Sequence, residues 1–315
     1  MTITKRERLE GGVWGLLVGD ALGVPYEFNR PEDLPSVIEM TPPEHFDRAH
    51  KGTPPGTYSD DGAQALCLLA TLIEREQLDV EDFARRLVDW YSSGYLAVGN
   101  RVFDVGVQTG VAIRRLMEDV PPLEAGPTDE RRNGNGSLMR VLPLALFHTG
   151  TDAELARDAE LQSRVTHGHA RSRVSCALYC LWARRFLRDE PWPDPAAPWR
   201  DAVASLRTIL PADGEEREAL ELHIRPDEPA EGRGGGYVID ALRSARMIVE
   251  RCPRFEDAVI AAVRLGDDTD TTAALVGGIA GVREGLSAIP TRWRDAMRGR
   301  EQVDPLVAWL VKLRR

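Results

Sequence analysis

Cysteine is scarce in this chain. Cys67, Cys176, Cys180 and Cys252 are the four present, and no two form a CxxC pair. So few thiols cannot staple 315 residues, and a reduced, cytoplasmic compartment is the simplest expectation. Cys/His spacing of the kind that holds zinc is missing too. Aromatics make up only 6%, and runs of alternating β-branched residues are nearly absent, which points away from strands. No apolar stretch approaches the ~20 residues of a membrane helix. The opening MTITKRERLEGG lacks the apolar core of a secretory signal. Basic charge is in deficit: 40 Lys+Arg stand against 50 Asp+Glu, a net charge of −10. A surface this acidic argues against nucleic acid and anionic membrane as partners. Internal repeats and low-complexity runs are also missing. The 43% of hydrophobic residues is enough for a core, which excludes global disorder.

The apolar residues recur with a helical period. Ala63, Leu66, Cys67, Ala70 and Ile73 mark one buried face over Asp60–Glu76. Phe83, Leu87, Trp90 and Tyr91 mark a second helix, Val238, Leu242, Ala245 and Val249 a third, and Phe255, Val259, Ala262 and Val263 a fourth. Thr271 to Leu286 is rich in small residues: Ala273, Ala274, Gly277, Gly278, Ala280 and Gly281. Glycine costs a helix about 1 kcal/mol relative to alanine, so this segment makes sense if buried where other elements come close. Gly15, Gly19 and Gly23 give an early helix a smooth face of the same kind. These patterns predict an all-α bundle, organised as one domain over 1–315. Pro/Gly-rich loops are expected near 29–58, 119–136, 190–199 and 211–236.

Acidic residues open two of the helices. Ser59-Asp60-Asp61 has an ordinary reading, since Ser caps a helix and Asp suits its positive end. Asp267-Asp268-Thr269-Asp270-Thr271 fits that reading less well, because a cap needs one acceptor and this segment offers three carboxylates and two hydroxyls. Carboxylates gathered at buried helix starts are costly unless a cation compensates them. Such a set of hard oxygen donors suits Mg²⁺ or Mn²⁺. A third segment, Asn133-Gly134-Asn135-Gly136-Ser137-Leu138-Met139-Arg140, reads as an anion-binding nest before an apolar helix, or as a plain Asn-Gly turn. Asp20 lies inside an apolar helix and therefore needs a partner; a structural role is the simpler one. Glu27 stands at the mouth of the proline-rich loop, either as a lid carboxylate or as a structural one.

Together these segments resemble the ADP-ribosylglycohydrolase family, of the dinitrogenase-reductase-activating glycohydrolase type. The resemblance runs from GDALGVPYEF to GDDTDTTAALVGGIAGVREGLSAIPTRW, nearly the whole chain. It implies a single-domain, orthogonal all-α bundle around a central dinuclear Mg²⁺ or Mn²⁺ site. It implies Ser59, Asp60 and Asp61 as ligands on one side of the metal pair, with Asp268, Asp270 and Thr271 on the other. Glu27 matches a mobile acidic residue near the metals, and Asp104 an acidic residue near the distal ribose. Asn133, Gly134, Asn135, Gly136 and Ser137 match the segment that holds the diphosphate of ADP-ribose. His167 and Tyr237 match ligand-contacting positions, although a core histidine and a packed aromatic are equally plain readings. The chain also departs from the pattern. Ser59 stands where Thr is commoner, Gly62 replaces a hydroxyl residue, and Asp267 replaces a frequent Gly. Val107 stands where Asn is often found and removes a polar contact near the leaving group.

The activity so implied is hydrolysis of the glycosidic bond between ADP-ribose and an acceptor, with an arginine-type N-linkage foremost. Glu27 or Asp61 is the candidate base and Asp104 the candidate helper of the leaving group. The substrate would be an ADP-ribosylated protein or a small ADP-ribosyl conjugate, and a monomer is the default. Two rival readings remain: an idle ADP-ribose-binding or structural member, and a metal-dependent nucleotide phosphoesterase. Against the first, every ligand position still carries an oxygen donor.

Overall fold

The computed structural model describes residues 3–188 and 191–314. Glu190, where the expected 190–199 loop begins, lies outside the described residues. The helices are α1 (Lys5–Gly23), α2 (Asp60–Arg75), α3 (Val80–Ser93), α4 (Val107–Met117), α5 (Pro122–Ala125), α6 (Leu142–Phe147), α7 (Asp152–Arg164), α8 (Ala170–Arg185), α9 (Ala197–Ile209), α10 (Glu215–Glu218), α11 (Val238–Arg251), α12 (Phe255–Val263), α13 (Thr269–Glu284), α14 (Thr291–Ala296) and α15 (Arg300–Leu313). The described residues hold no β-strand, and one isolated bridge joins Gly134 to Tyr237. The fold is all-α, as the periodicity predicts.

The bundle is built around α1 and α13, which are buried on nearly every side. They run antiparallel with backbones almost touching. A Cβ on Gly15 would lie 2.2 Å from the Gly277 carbonyl oxygen, and one on Gly19 would lie 2.1 Å from the Ala273 carbonyl oxygen. The glycine stripe of one helix therefore meets the small-residue stripe of the other. This register sets the C-terminus of α1 against the N-terminus of α13, where the Thr269 hydroxyl donates to the Gly23 carbonyl at 2.8 Å.

The expected loops contain more helix than their proline content suggests. The 119–136 stretch holds α5, and α9 begins at Ala197 within the 190–199 stretch. Pro122 and Pro198 sit in first turns, where a missing N–H removes no helical hydrogen bond. The 211–236 stretch contains α10 and a π-helical turn over Ala219–Ile224. The 29–58 loop is irregular apart from a short 3-10 turn at Pro31–Asp33, and it is strapped down. The buried Tyr26 hydroxyl donates to the Glu39 carbonyl at 2.7 Å and accepts from the Glu39 amide at 3.0 Å.

Candidate active site

The C-terminal end of α1 organises the site. Asp20 is fully buried there, and its partner is the start of α2. Its carboxylate accepts from the Ser59 amide at 2.9 and 3.0 Å and from the Gly62 amide at 2.8 Å. Gly62 permits this approach, because a Cβ on it would come within 2.9 Å of Asp20 Oδ2. Asp20 is thus a cap on α2 supplied by another helix. Ser59 Oγ caps the same helix by accepting from the Asp61 amide at 3.3 Å. Four residues beyond α1, the buried Glu27 arrives beside the start of α13. Ligand atoms of Glu27, Asp268 and Asp270 all lie within 4.8 Å of one another. The two acidic motifs meet here, with Asp60 and Asp61 of one and Asp268 and Thr271 of the other lining the same cleft.

These carboxyl groups repel one another in a dry setting. Burial pushes Glu27 up to about 10, and the charges of Asp104, Asp268, Asp61 and Asp20 add to the rise. Burial lifts Asp20 to about 7 although its amide donors oppose the shift. Asp60, Asp61 and Asp270 stand well above the usual carboxylate range, first by burial and then by neighbouring carboxylates. Asp61 Oδ2 and Asp270 Oδ2 are buried with no hydrogen-bond partner among the described residues. Orphaned carboxylate oxygens facing other carboxylates are what a divalent cation would satisfy. The donor set is oxygen from carboxylates and hydroxyls, with no thiolate, which fits a hard cation.

A cleft of about 640 Å³ opens above this floor, lined by Glu27, Asp60, Asp61, Asp104, Asp268 and Thr271 at one end. The other end is lined by Asn133, Gly134, Asn135, Gly136 and His167. The glycine-rich segment is clamped onto the start of α11, with the Asn135 amide donating to the Gly236 carbonyl at 3.1 Å and the Val238 amide to the Asn133 carbonyl at 2.9 Å. Asn135 Nδ2 donates to Asp268 Oδ2 at 2.8 Å and ties the two ends together. The expected helix directly behind this segment is not there. Residues after Ser137 turn on themselves, with the Leu138 and Met139 amides bonding to the Asn135 carbonyl, and α6 starts only at Leu142. Pro143 explains the late start, since it fits a first turn and not a helix interior.

Beneath the cleft runs a buried polar chain. Asp60 Oδ2 accepts from Gln64 Nε2 at 2.8 Å, and Gln64 Oε1 accepts from Arg140 Nη1 at 2.7 Å. Arg140 Nη2 donates to Thr166 Oγ1 at 2.8 Å, and Thr166 Oγ1 lies 2.8 Å from His167 Nδ1. Burial pulls the Arg140 guanidinium down to about 10, still charged at neutral pH. Burial first, and then the Arg140 charge, push His167 down to about 3, so its ring is neutral.

Other expected site residues are placed differently. Ser137 is fully buried behind the loop, its hydroxyl 2.9 Å from that of Ser163, and does not line the cleft. Tyr237 is partly exposed and borders a neighbouring recess with Arg233 and Asp240. Asn133 uses its side chain within the loop, donating to the Glu130 carbonyl at 2.8 Å. Asp104 has a left-handed backbone (φ 58°), and a carboxylate oxygen of it lies within 4.8 Å of ligand atoms of Glu27 and His50. Val107 is 81% exposed at the rim. Asp267 is exposed and also left-handed (φ 55°), which explains a preference for Gly there. Its backbone bonds to Phe28 and Asn29, and it does not line the cleft. Sequence reasoning missed His50, whose Nε2 is 2.7 Å from Glu27 Oε2 and 3.9 Å from Asp104 Oδ1. Its ring packs against Phe103 and Phe28 at centroid distances of 5.1 and 5.7 Å. The one signal for it was its place in the long proline-rich loop.

An all-α bundle whose distant acidic helix starts share one cleft with a glycine-rich loop defines a class of protein. The chain belongs to the ADP-ribosylglycohydrolase family, whose model matches residues 1–315. It is 31% identical over 304 residues to the ADP-ribosylarginine hydrolase Tri1 of Serratia proteamaculans (strain 568), covering 96% of this chain and 79% of that protein. It is 29% identical over 314 residues to the ADP-ribosyl-[dinitrogen reductase] glycohydrolase of Rhodospirillum rubrum, covering 96% of each. A solved structure titled ADP-ribosylglycohydrolase-related protein complex superposes with a TM-score of 0.78 at 31% identity, over 99% of both chains.

Proposed function

We propose that the protein hydrolyses the glycosidic bond between ADP-ribose and an acceptor, with arginine-type N-linked ADP-ribose as its substrate, and so reverses that modification. The observation that carries this reading is that Asp60 and Asp61 of one acidic motif and Asp268 and Thr271 of the other line a single cleft. The arginine acceptor draws on the name of the Serratia relative. Ser59, Asp60 and Asp61 would hold one side of a pair of Mg²⁺ or Mn²⁺ ions, and Asp268, Asp270 and Thr271 the other. When bound, such ions supply Lewis-acid charge and orient the sugar hydroxyls. Asn133, Gly134, Asn135 and Gly136 cradle the diphosphate, with Ser137 supporting them from behind; Tyr237, on the recess beside the cleft, would reach the ligand only by turning its side chain toward it. His167 contributes a neutral ring at the same end.

The chemistry needs one proton removed and one supplied. As water attacks the anomeric carbon, a carboxylate oxygen of Glu27 or Asp61 takes its proton. As the carbon–nitrogen bond breaks, the Asp104 carboxyl gives a proton to the departing guanidine nitrogen. Burial already favours the protonated form of Asp104. We further infer a cytoplasmic monomer acting on an ADP-ribosylated protein or small conjugate, in keeping with free thiols at Cys67, Cys176, Cys180 and Cys252. No helix among the described residues is long and apolar enough to cross a membrane.

The test is incubation with ADP-ribosyl-arginine in Mg²⁺, Mn²⁺ or chelator. Free ADP-ribose is the expected product, chelator abolishes it, and Asp60→Ala or Asp268→Ala lowers turnover at least about a hundredfold. AMP as product would replace this reading with diphosphate cleavage. A folded, metal-loaded protein that releases nothing would be an idle family member.

A further inference from the structure

The His167 side chain is 98% hidden, yet it lines the cleft, and its Nε2 has no hydrogen-bond partner among the described residues. A Cβ placed on Gly136 would lie 3.3 Å from that nitrogen, and one on Gly134 would lie 3.6 Å from it. What Nε2 offers a ligand depends on where the ring proton sits, and the polar chain beneath decides this. A guanidinium only donates, so Arg140 Nη2 uses an acceptor lone pair of Thr166 Oγ1. The hydroxyl proton of Thr166 is then free for the other group in reach, His167 Nδ1 at 2.8 Å. An Nδ1 that accepts carries no proton, so the proton of the neutral ring is on Nε2.

We propose that Arg140 and Thr166 are positioning residues that lock His167 in its Nε2–H tautomer, giving the glycine-rich end of the cleft a permanent neutral donor for an anionic oxygen of the substrate's diphosphate. The same guanidinium fixes Gln64 with its oxygen toward Arg140 and its nitrogen toward Asp60. One buried cation thus orders the donor at one end of the cleft and a carboxylate at the other, touching no substrate itself. The identity of the anion rests on the hydrolase reading above; the tautomer does not.

Nitrogen-15 NMR of the histidine rings tests it, with His167 assigned by its loss in His167→Gln. The wild type should show Nδ1 unprotonated and Nε2 protonated, whether or not the chain hydrolyses anything. Thr166→Val removes the bridging hydroxyl at nearly constant volume. It should free the tautomer and weaken ADP-ribose binding about tenfold, the worth of one hydrogen bond to a charged group. Adenosine binding should be unchanged, and Thr166→Ser should restore both readouts. A wild-type His167 protonated on Nδ1 would overturn the proposal, even if Thr166→Val fails to fold. So would a folded Thr166→Val that binds ADP-ribose like the wild type, or that loses adenosine equally. Correct tautomers with no ADP-ribose binding in the wild type would sink the hydrolase reading and, with it, the assignment of the anion.

Discussion

Asp20 shows how a single residue can serve the site without belonging to it. It sits in an apolar helix and spends its charge on backbone amides of a different one. Replacing it by Ala leaves the Ser59 and Gly62 amides buried without an acceptor. Such orphaned donors cost about 1–3 kcal/mol, so Asp20→Ala should lower the free energy of unfolding by that amount, read as a lower midpoint in urea. An unchanged midpoint would remove Asp20 from the account. The need of Asp20 for a partner was legible in the sequence, as were the acidic motifs and the glycine-rich segment. Each is written in adjacent residues of unusual chemistry. His50, Gln64 and Arg140 were not legible as site residues. Their roles come from contacts across the fold, such as that of His50 with Glu27, which depends on how an irregular loop returns to its own start.

At the level of elements, helix existence was readable and helix edges were less so. The period of apolar residues marked α2, α3, α11, α12 and α13 because each buries one face or is buried all round. The short helices α5 and α10 escaped notice because proline and charge mask so few turns. The helix expected behind Ser137 begins later because Pro143 must occupy a first turn. The packing of α1 on α13 is the most consequential contact between elements, since its register brings Glu27 to Asp268. Gly15→Ala would press a methyl group into the Gly277 carbonyl, 2.2 Å away. No rotamer relieves a backbone clash, so the helices must part. The expected loss is at least about 1–3 kcal/mol, with reduced ADP-ribose release as Glu27 shifts. Full stability in Gly15→Ala, measured by thermal or urea unfolding, would contradict the close packing.

For the whole molecule, the acidic floor sets how stability responds to pH. Asp20 rises to about 7 from 3.8, and Glu27 to about 10 from 4.5. A carboxyl raised on folding binds more protons in the folded chain. Its contribution is complete below the unfolded value and is lost as pH climbs through the folded one. His167, pushed down to about 3, acts in the opposite sense but only below its ordinary 6.5. Above that pH the carboxyls alone decide the slope among these groups. A divalent cation bound there would take the place of the protons, and its ligands would have to ionise.

The central claim is that buried carboxylates from two distant stretches share divalent cations. Thermal unfolding of chelator-treated protein from about pH 6.5 to about pH 8, repeated with Mg²⁺ or Mn²⁺ restored, tests it most directly. The account predicts a Tm that falls with pH in chelator, and a cation-induced gain that grows as pH rises. A Tm indifferent to both cations throughout that range would contradict it.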